Sequence, residues 1–580
     1  MSPLDLPGRR LTATTLLLAV ALAALATFVA APVTPVERVG ASMQFDSTQR
    51  CDPQLNETPE QDFNCVIVDD PSGTFGTSDN NCDDGSCTLN AAIYESRLPD
   101  SQQQITKIHF NIDPQDYPDE CDAATRVCQI NLEGTMPALG GPEEQIGTEL
   151  DATTQGCTGA SPYCIVIDGG NLPGPGQQQA RGITVVTSDN TVRGFLIQNI
   201  FTGLSNSQAG IVLYQSTEDG NTTGEVVSGN VVENNKIVNV RKGIVIGVEL
   251  TGGTQTDMTV QNNIIEGADR GISLDAKMIA TSAVTGNHVL NNTIRLRANN
   301  TDENAVGIWL VATYAGQVTG NLIQGNKILG GKGNGITLQA AGSCDTATAQ
   351  CPQAKQRVEV TGNQLIKNTI ENMTGDGILL VARNKRSEVS DNTLKSNVIV
   401  GSGLNGIWLK RYTGTDTNAI EGNKLIRNYT RGDRYLGINL GEAPDEVGGS
   451  KNASEGSGCK NGSSGTGLDV NNNIPCPAIT DTSPSAGQCK VEGSGPPSAT
   501  IEVFLAVPGA GDDNDSPAFN LKYGEATKWL ITVRADAAGQ WSALIPRQRS
   551  GSSLTSTAMK PVSGTSEASA NEALTGGCLL

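Results

Sequence analysis

Along the middle of the chain one order of hydrophobic and polar positions recurs: aliphatic, small, Gly or Asp, then Asn, with a second Asn and a β-branched residue close behind. It reads VSGNVVENNKI at Val227, VTGNHVLNNTI at Val284, VTGNLIQGNKI at Val318, VTGNQLIKNTI at Val360, VSDNTLKSNVI at Val389 and IEGNKLIRNYT at Ile420. A second phrase, Gly-Ile-x-Leu/Ile, alternates with it at Gly210, Gly243, Gly271, Gly307, Gly335, Gly377, Gly406 and Gly437, at intervals of 28 to 42 residues. Period two in so short a run predicts a strand, with the Ile and the Leu pointing inward. The position between them then points outward: Val212, Val245, Ser273, Trp309, Thr337, Leu379, Trp408 and Asn439. A fixed motif at variable spacing is the signature of stacked coils carrying loops of unequal length. The expected fold class is all-β, a right-handed parallel β-helix. Asn230, Asn287, Asn321, Asn363, Asn392 and Asn423 should form a ladder at one turn, each in a left-handed backbone.

Either end of this stretch needs a cover, because a solenoid terminates in an open strand edge and a bare core. Upstream, Leu89, Ala92 and Ile93 share one face of a short helix expected over about Thr88 to Ser96, a natural N-terminal cap. Downstream the grammar stops after Gly437-Ile-Asn-Leu440. Residues 441–487 are rich in Gly, Ser, Asp and Asn and read as the exit of the helix and a linker. Alternation returns in Thr500–Phe504, Lys528–Val533 and Gln540–Ile545, the last two joined by a turn at Asp536–Gly539, which predicts a small antiparallel sandwich over 488–578.

Residues 165–440 resemble the right-handed parallel β-helix repeat family of pectate lyases, polygalacturonases, phage tailspikes and bacterial surface proteins. Cys87-Thr-Leu-Asn-Ala-Ala-Ile93 resembles the Cys-Ser-Leu-Arg-Glu-Ala motif of exported bacterial CSLREA-domain proteins. Ile105–Asn111, Gln129–Leu132 and Ile165–Gly169 follow in the order that group shows, and Leu468–Pro475 resembles its closing segment. The Arg-Glu pair of the motif is replaced by Asn90 and Ala91, so any role of those charges does not carry over. The resemblance implies a cap and first strands over 32–164. The sandwich resembles bacterial immunoglobulin-like modules.

Composition narrows the partners. Net charge is −21, which argues against nucleic acid, whose binding needs a positive surface. Residues 1–31 carry Arg9 and Arg10, the apolar run Leu11–Val29, then Ala30 and Ala31, the grammar of a signal peptide or N-terminal anchor. Membrane attachment is expected only through that segment, if uncleaved. Fourteen Cys in an exported chain point to disulfides. Close pairs are Cys51/Cys65, Cys82/Cys87, Cys121/Cys128, Cys157/Cys164, Cys344/Cys351 and Cys459/Cys476, with Cys489 and Cys578 bracketing the last domain.

Candidate chemistry is sparse, and no catalytic residue is assigned. Asn300-Thr301-Asp302 is a lone tripeptide that reads as a solvated polar loop, and the only two His, His109 and His288, fall at unpromising positions. Trp309 and Trp408 share the outward register three coils apart, a separation that suits stacking along a sugar chain. Beside them run two basic groups, Arg383, Lys385 and Arg386, then Lys410 and Arg411 with Tyr412, suited to an anionic glycan. No cofactor is required; Asp512, Asp513 and Asp515 could offer oxygen ligands to calcium, without the spacing of a twelve-residue calcium loop. The expectation is a secreted or cell-surface protein that binds polysaccharide or surface glycoprotein without catalysis. The alternatives are a polysaccharide lyase or glycoside hydrolase on an acidic polymer, and a structural stalk. Carboxylates clustered beside Arg and Lys in one groove would favour the enzyme, an exposed Trp row without them would favour binding, and neither would favour the stalk.

Overall fold

The computed structural model describes residues 65–580 apart from 73–81, 83–86, 98–106, 141–146, 160, 173–179, 202–207, 216–223, 278–281, 300–301, 303, 343–356, 384–385, 412–418, 435, 443–469 and 508–524. The chain winds as a right-handed parallel β-helix whose coils have up to four sides. Face I is a nine-stranded parallel sheet built from the Gly-Ile-x-Leu strands, Arg181–Val185 through Ile438–Glu442. Face II has six strands, and faces III and IV have eleven each. Each Asn phrase crosses three of them: Val227 lies on face II, Val231–Glu233 on face III and Lys236–Val238 on face IV. Stacking in register puts Ile211, Ile244, Ile272, Ile308, Ile336, Ile378 and Ile407 in one inward column, all fully buried. A matching column of Leu and Ile completes the core on that side.

The Asn residues turn the corners as two ladders. Asn287 donates its backbone N–H and its Nδ2 to Asn321 Oδ1, both at 2.9 Å, and Asn321 does the same to Asn363. Five residues on, Asn235, Asn263, Asn292, Asn326, Asn368, Asn397 and Asn428 repeat the arrangement at the next corner. Each Nδ2 also reaches a strand carbonyl of an adjacent coil, as Asn321 does to Val284 at 3.1 Å. Buried amides that satisfy one another need no ligand.

One expectation is corrected here. The ladder residues Asn230 through Asn428 are not left-handed, although Asn471 at the end of the stack has φ of 48°; the residue before each of the former is, as at Gly229, Asn234, Gly286, Asn291, Lys367, Asp391 and Arg427, and likewise Asp257 before Met258. Gly and Asn there meet the positive φ at low cost, and the ladder Asn keeps an ordinary backbone that aims its amide along the stack. A coil that the Asn phrase skips also emerges, with the fully buried Met258 standing where its neighbours have Asn.

Winding begins before the repeats, at Cys65–Val68, which pairs with Lys107–Phe110 on face III. The cap helix runs over Leu89–Glu95 with Thr88 as N-cap, and Leu89, Ala92 and Ile93 join the core beside Val68 and Ile108. Disulfides Cys82–Cys87, Cys121–Cys128, Cys157–Cys164 and Cys489–Cys578 are as expected. Cys476 is also disulfide-bonded. Cys51, Cys344, Cys351 and Cys459 lie outside the described residues.

Residues 478–580 form an antiparallel β-sandwich of a three-stranded and a five-stranded sheet, consistent with an immunoglobulin-like module. Its core gathers Val491, Ile501, Val503, Trp541 and Ile545 around the Cys489–Cys578 bond. The sandwich contacts the last coil directly. Asn471 occupies the next rung above Asn423, and its Nδ2 donates to the carbonyl of Thr565 in the sandwich at 2.9 Å. Among the described residues no helix is long and apolar enough to cross a membrane.

Candidate functional site

The Asn corners and the inward columns are consumed by stacking, which leaves the outward positions of the strands; those of face I carry the predicted aromatic residues and Lys410. Its aromatic half corrects the sequence reading. Trp309 and Trp408 are in the predicted register, separated by Thr337 and Leu379, but they are only 7% and 8% exposed. Pointing away from the core of a sheet is not the same as reaching water. Trp309 packs with Val306 and Val311, and Trp408 with Leu379 and Val381. No open Trp row therefore faces solvent.

The basic residues around Trp408 divide. Lys410 lies with its Nζ 4.7 Å from the centre of the Trp408 ring, a cation–π contact. Arg411, one residue on, falls on the opposite side of the strand by alternation and is buried. Arg383 and Arg386 are half-buried, and Arg386 sits at a turn with φ of 59°. Lys385 and Tyr412 lie outside the described residues, as do Asp512, Asp513 and Asp515.

The other half of the same surface holds a cluster that the sequence reading did not find. Lys242 stands beside Arg270, Val245 beside Ser273, and Gly247 beside Asp275, on adjacent strands. Tyr214, one strand back, leans over Gly247, where any Cβ would meet the Tyr214 ring at 2.9 Å. Arg270 donates from Nε and Nη2 to Asp302 Oδ2, both at 2.8 Å, and its guanidinium lies 4.6 Å from the Trp309 ring centre. Asp302 is thus a buried ion-pair partner, not the solvated loop residue expected. Lys277 pairs with Asp275 at 2.6 Å, and Arg181 lies 5.0 Å over the Tyr214 ring.

Electrostatics single out two members. Lys242 is 6% exposed; its backbone N–H donates to the Gln208 carbonyl at 3.3 Å, and its amine makes no ion pair among the described residues. Burial, with Lys277 and Arg270 nearby, lowers its amine to about 8. Burial works against the Asp275 charge, but Lys277, Lys242 and Arg270 outweigh it and hold the carboxyl below its usual range. Burial, with the Glu249 carboxylate alongside, pushes the Tyr214 phenol up. Several polar atoms here are buried without a partner: Ser273 Oγ, Asp275 Oδ1 and Trp309 Nε1, with Trp408 Nε1 further along the face. Such atoms also occur elsewhere, as at Gln255, Thr430 and Asp433, and what sets these apart is that Ser273 and Asp275 stand within the ionic cluster.

Only stacking reveals the cluster, since Lys242 and Arg270 precede Gly in separate coils and Asp275 lies four residues past its own Gly. One cue was available: the residue before Gly-Ile is Arg181, Lys242 or Arg270 in three of the first four coils, with Ala209 the exception, but Val306 and Asn334 in the next two. Asp376 and Asn405, in the coils beyond Asn334, extend it by side-chain hydrogen bonds, Asp376 N to Asn334 Oδ1 at 2.8 Å and Asn405 Nδ2 to Asp376 Oδ1 at 3.0 Å. No group of three metal-ligating side chains is present among the described residues.

No protein-family model matches the chain, and no curated protein sequence matches it. Solved structures similar to it include the periplasmic alginate epimerase AlgG, at 13% identity and TM-score 0.31, covering 57% of this chain and 69% of that one. A double mutant of the tailspike of E. coli bacteriophage HK620, in complex with a pentasaccharide, aligns at 13% identity and TM-score 0.31, over 81% of this chain and 82% of that one. The catalytic domain of a GH87 α-1,3-glucanase with nigerose aligns at 12% identity and TM-score 0.26, over 66% and 67%. At such scores none of them carries an argument about substrate or reaction here.

Proposed function

We propose that this chain is an exported solenoid of the CSLREA type that binds an acidic polysaccharide on the outer surface of face I. The observation that carries the reading is the Lys242, Arg270 and Lys277 cluster. In a chain of net charge −21, Lys242, Arg270 and Lys277 all bear on Asp275; Lys277 is paired with it and Arg270 with Asp302, which leaves Lys242 without an ion pair, with Ser273 and Trp309 atoms unpaired nearby. A carboxylate or sulfate on a sugar ring would supply the missing anion and acceptors. The disulfides fit maturation in an oxidising compartment. Secretion or surface display and the immunoglobulin-like nature of the sandwich belong to the same proposal.

A second reading, catalysis, is favoured by Lys242 itself. An amine near 8 is partly unprotonated in mildly alkaline medium and can take a proton next to a uronate carboxyl, with Arg270 or Lys277 neutralising that carboxylate. Under the criterion set by the sequence, carboxylates beside Arg and Lys point this way, and an open Trp row does not exist to point the other.

Both readings meet one experiment, retention of the chain on a panel of acidic and neutral polysaccharides beside a reducing-end release assay at several pH values. Salt-sensitive retention on acidic polymers only, lost in Lys277→Ala, is expected. Equal retention on neutral polymers would sink the site. Release that climbs through about pH 8 and vanishes in Lys242→Met would replace binding by catalysis.

A further inference from the structure

The last coil ends in hydrogen-bond donors, and the sandwich meets them with oxygen. Arg427 N–H donates to Glu502 Oε2 at 2.8 Å, and the Gly432 and Asp433 N–H groups donate to the two oxygens of Glu525 at 2.8 and 2.6 Å. Leu440 N–H donates to Glu567 Oε1 at 2.8 Å, and Leu425 N–H to Thr565 Oγ1 at 2.9 Å. Where another coil would place Asn amides and strand carbonyls, the sandwich places carboxylates and a hydroxyl. Arg427 crosses the same boundary, its guanidinium 4.1 Å over the Trp529 ring. Glu502 and Glu525 are 3% and 1% exposed, so this contact is closed to water.

Asp433 is the member that does not fit. It belongs to the last coil, is 1% exposed, and accepts the Ser402 N–H at Oδ1 while Oδ2 has no partner. Its charged neighbours are Glu525, across the boundary, and Asp376 further down the stack. Burial raises its carboxyl to about 7, against the hydrogen bonds from Ser402 and with Glu525 and Asp376 pushing the same way. Burial also raises Glu525, but two N–H donors and Arg431 oppose it. Glu502 is raised by burial and opposed by Arg427, Thr532 and Lys395. Both oxygens of Glu525 accept N–H donors, which favours its charge, whereas the buried Oδ2 of Asp433, without a partner, is the oxygen that a proton suits best.

We propose that the boundary is a proton-operated latch: with Asp433 protonated the sandwich sits as the terminal layer of the solenoid, and ionised Asp433 repels Glu525 and releases it. Release would uncover the strand edges of the last coil, the surface on which further β-structure can pair. Asp433 holds its proton more tightly docked than free, so the sign is fixed. Docking is strongest below the ordinary aspartate value of 3.8 and weakens as pH rises towards about 7.

Hydrogen exchange on the full chain at about pH 5.5 and about pH 8.5, corrected for intrinsic rates, tests this directly. The Arg427, Gly432, Asp433 and Leu440 amides should lose at least about tenfold protection at the higher pH, while those of Asn363 and Asn368 inside the ladders hold. Asp433→Asn and Glu525→Gln should each remove the pH dependence and keep the capping amides protected at both values. Equal wild-type protection at both pH values overturns the latch. So does a loss shared by the ladder amides, or one that persists in both variants. Should either variant fail to fold, the wild-type profile and the other variant still decide.

Discussion

At the two Asn corners each coil does what its neighbours do, whereas on the outer surface of face I the side chain changes from coil to coil. Asn287, Asn321 and Asn363 are interchangeable rungs, each donating to the next and accepting from the one before. Ser273, Trp309, Thr337 and Leu379 stand one above another in the same register and have nothing in common. Identity along the stack is what a self-satisfying hydrogen-bond row requires. Variation along it leaves groups that the stack cannot satisfy, and those are the atoms that cluster around Lys242 and Asp275.

Breaking the varied surface should have the largest effect on stability where it is most apolar. Trp309→Ala removes a ring that is 7% exposed and lies under Arg270, and should cost roughly 3 to 5 kcal/mol by denaturant unfolding. A cost under about 1 kcal/mol would mean that the ring is not packed as described. Breaking the uniform corner comes next. Asn321→Ala leaves the Asn287 N–H without its acceptor inside the core and should cost roughly 2 to 4 kcal/mol. The converse sharpens the comparison: Met258→Asn restores the missing rung and should stabilise by about 1 kcal/mol, whereas a ladder that contributes nothing would leave the midpoint unchanged.

The last expected effect is a matter of pH. Lys242 binds its proton less tightly folded than unfolded, so stability should rise as pH climbs from about 8 towards 10.5. That rise should be absent in Lys242→Met. Thermal midpoints of the two proteins that stay parallel across this range would show that Lys242 titrates as a free lysine.

The uniform region was legible in the sequence because each of its demands is local. Ile and Leu two apart announce a strand, and Asn at a fixed offset announces a corner. The coil of Gly271 shows its strand phrase but hides its first corner, because Met258 keeps the backbone of the motif without its marker residue. The strand at Arg181–Val185 was missed because Val185 replaces the Leu or Ile at the end of the phrase. The varied surface was half legible. Alternation assigned Trp309 and Trp408 to the outside correctly but said nothing about what lies over them. Lys242, Arg270 and Asp302 become neighbours only through winding, at separations that no motif spans. Glu502 falls inside a predicted strand and Glu525 outside any, and their role as caps depends on a docking that composition does not encode.

The ladders carry one more consequence, for growth. Since a rung receives from below the same bond that it gives above, a whole coil can be inserted or deleted at most levels without leaving either terminal cover short of partners. Length then becomes an adjustable quantity, changing by about 4.8 Å per coil, while the folding problem at each end stays the same. Gene duplication can therefore lengthen the reach of the surface that carries the ionic cluster without redesigning how the chain begins or closes.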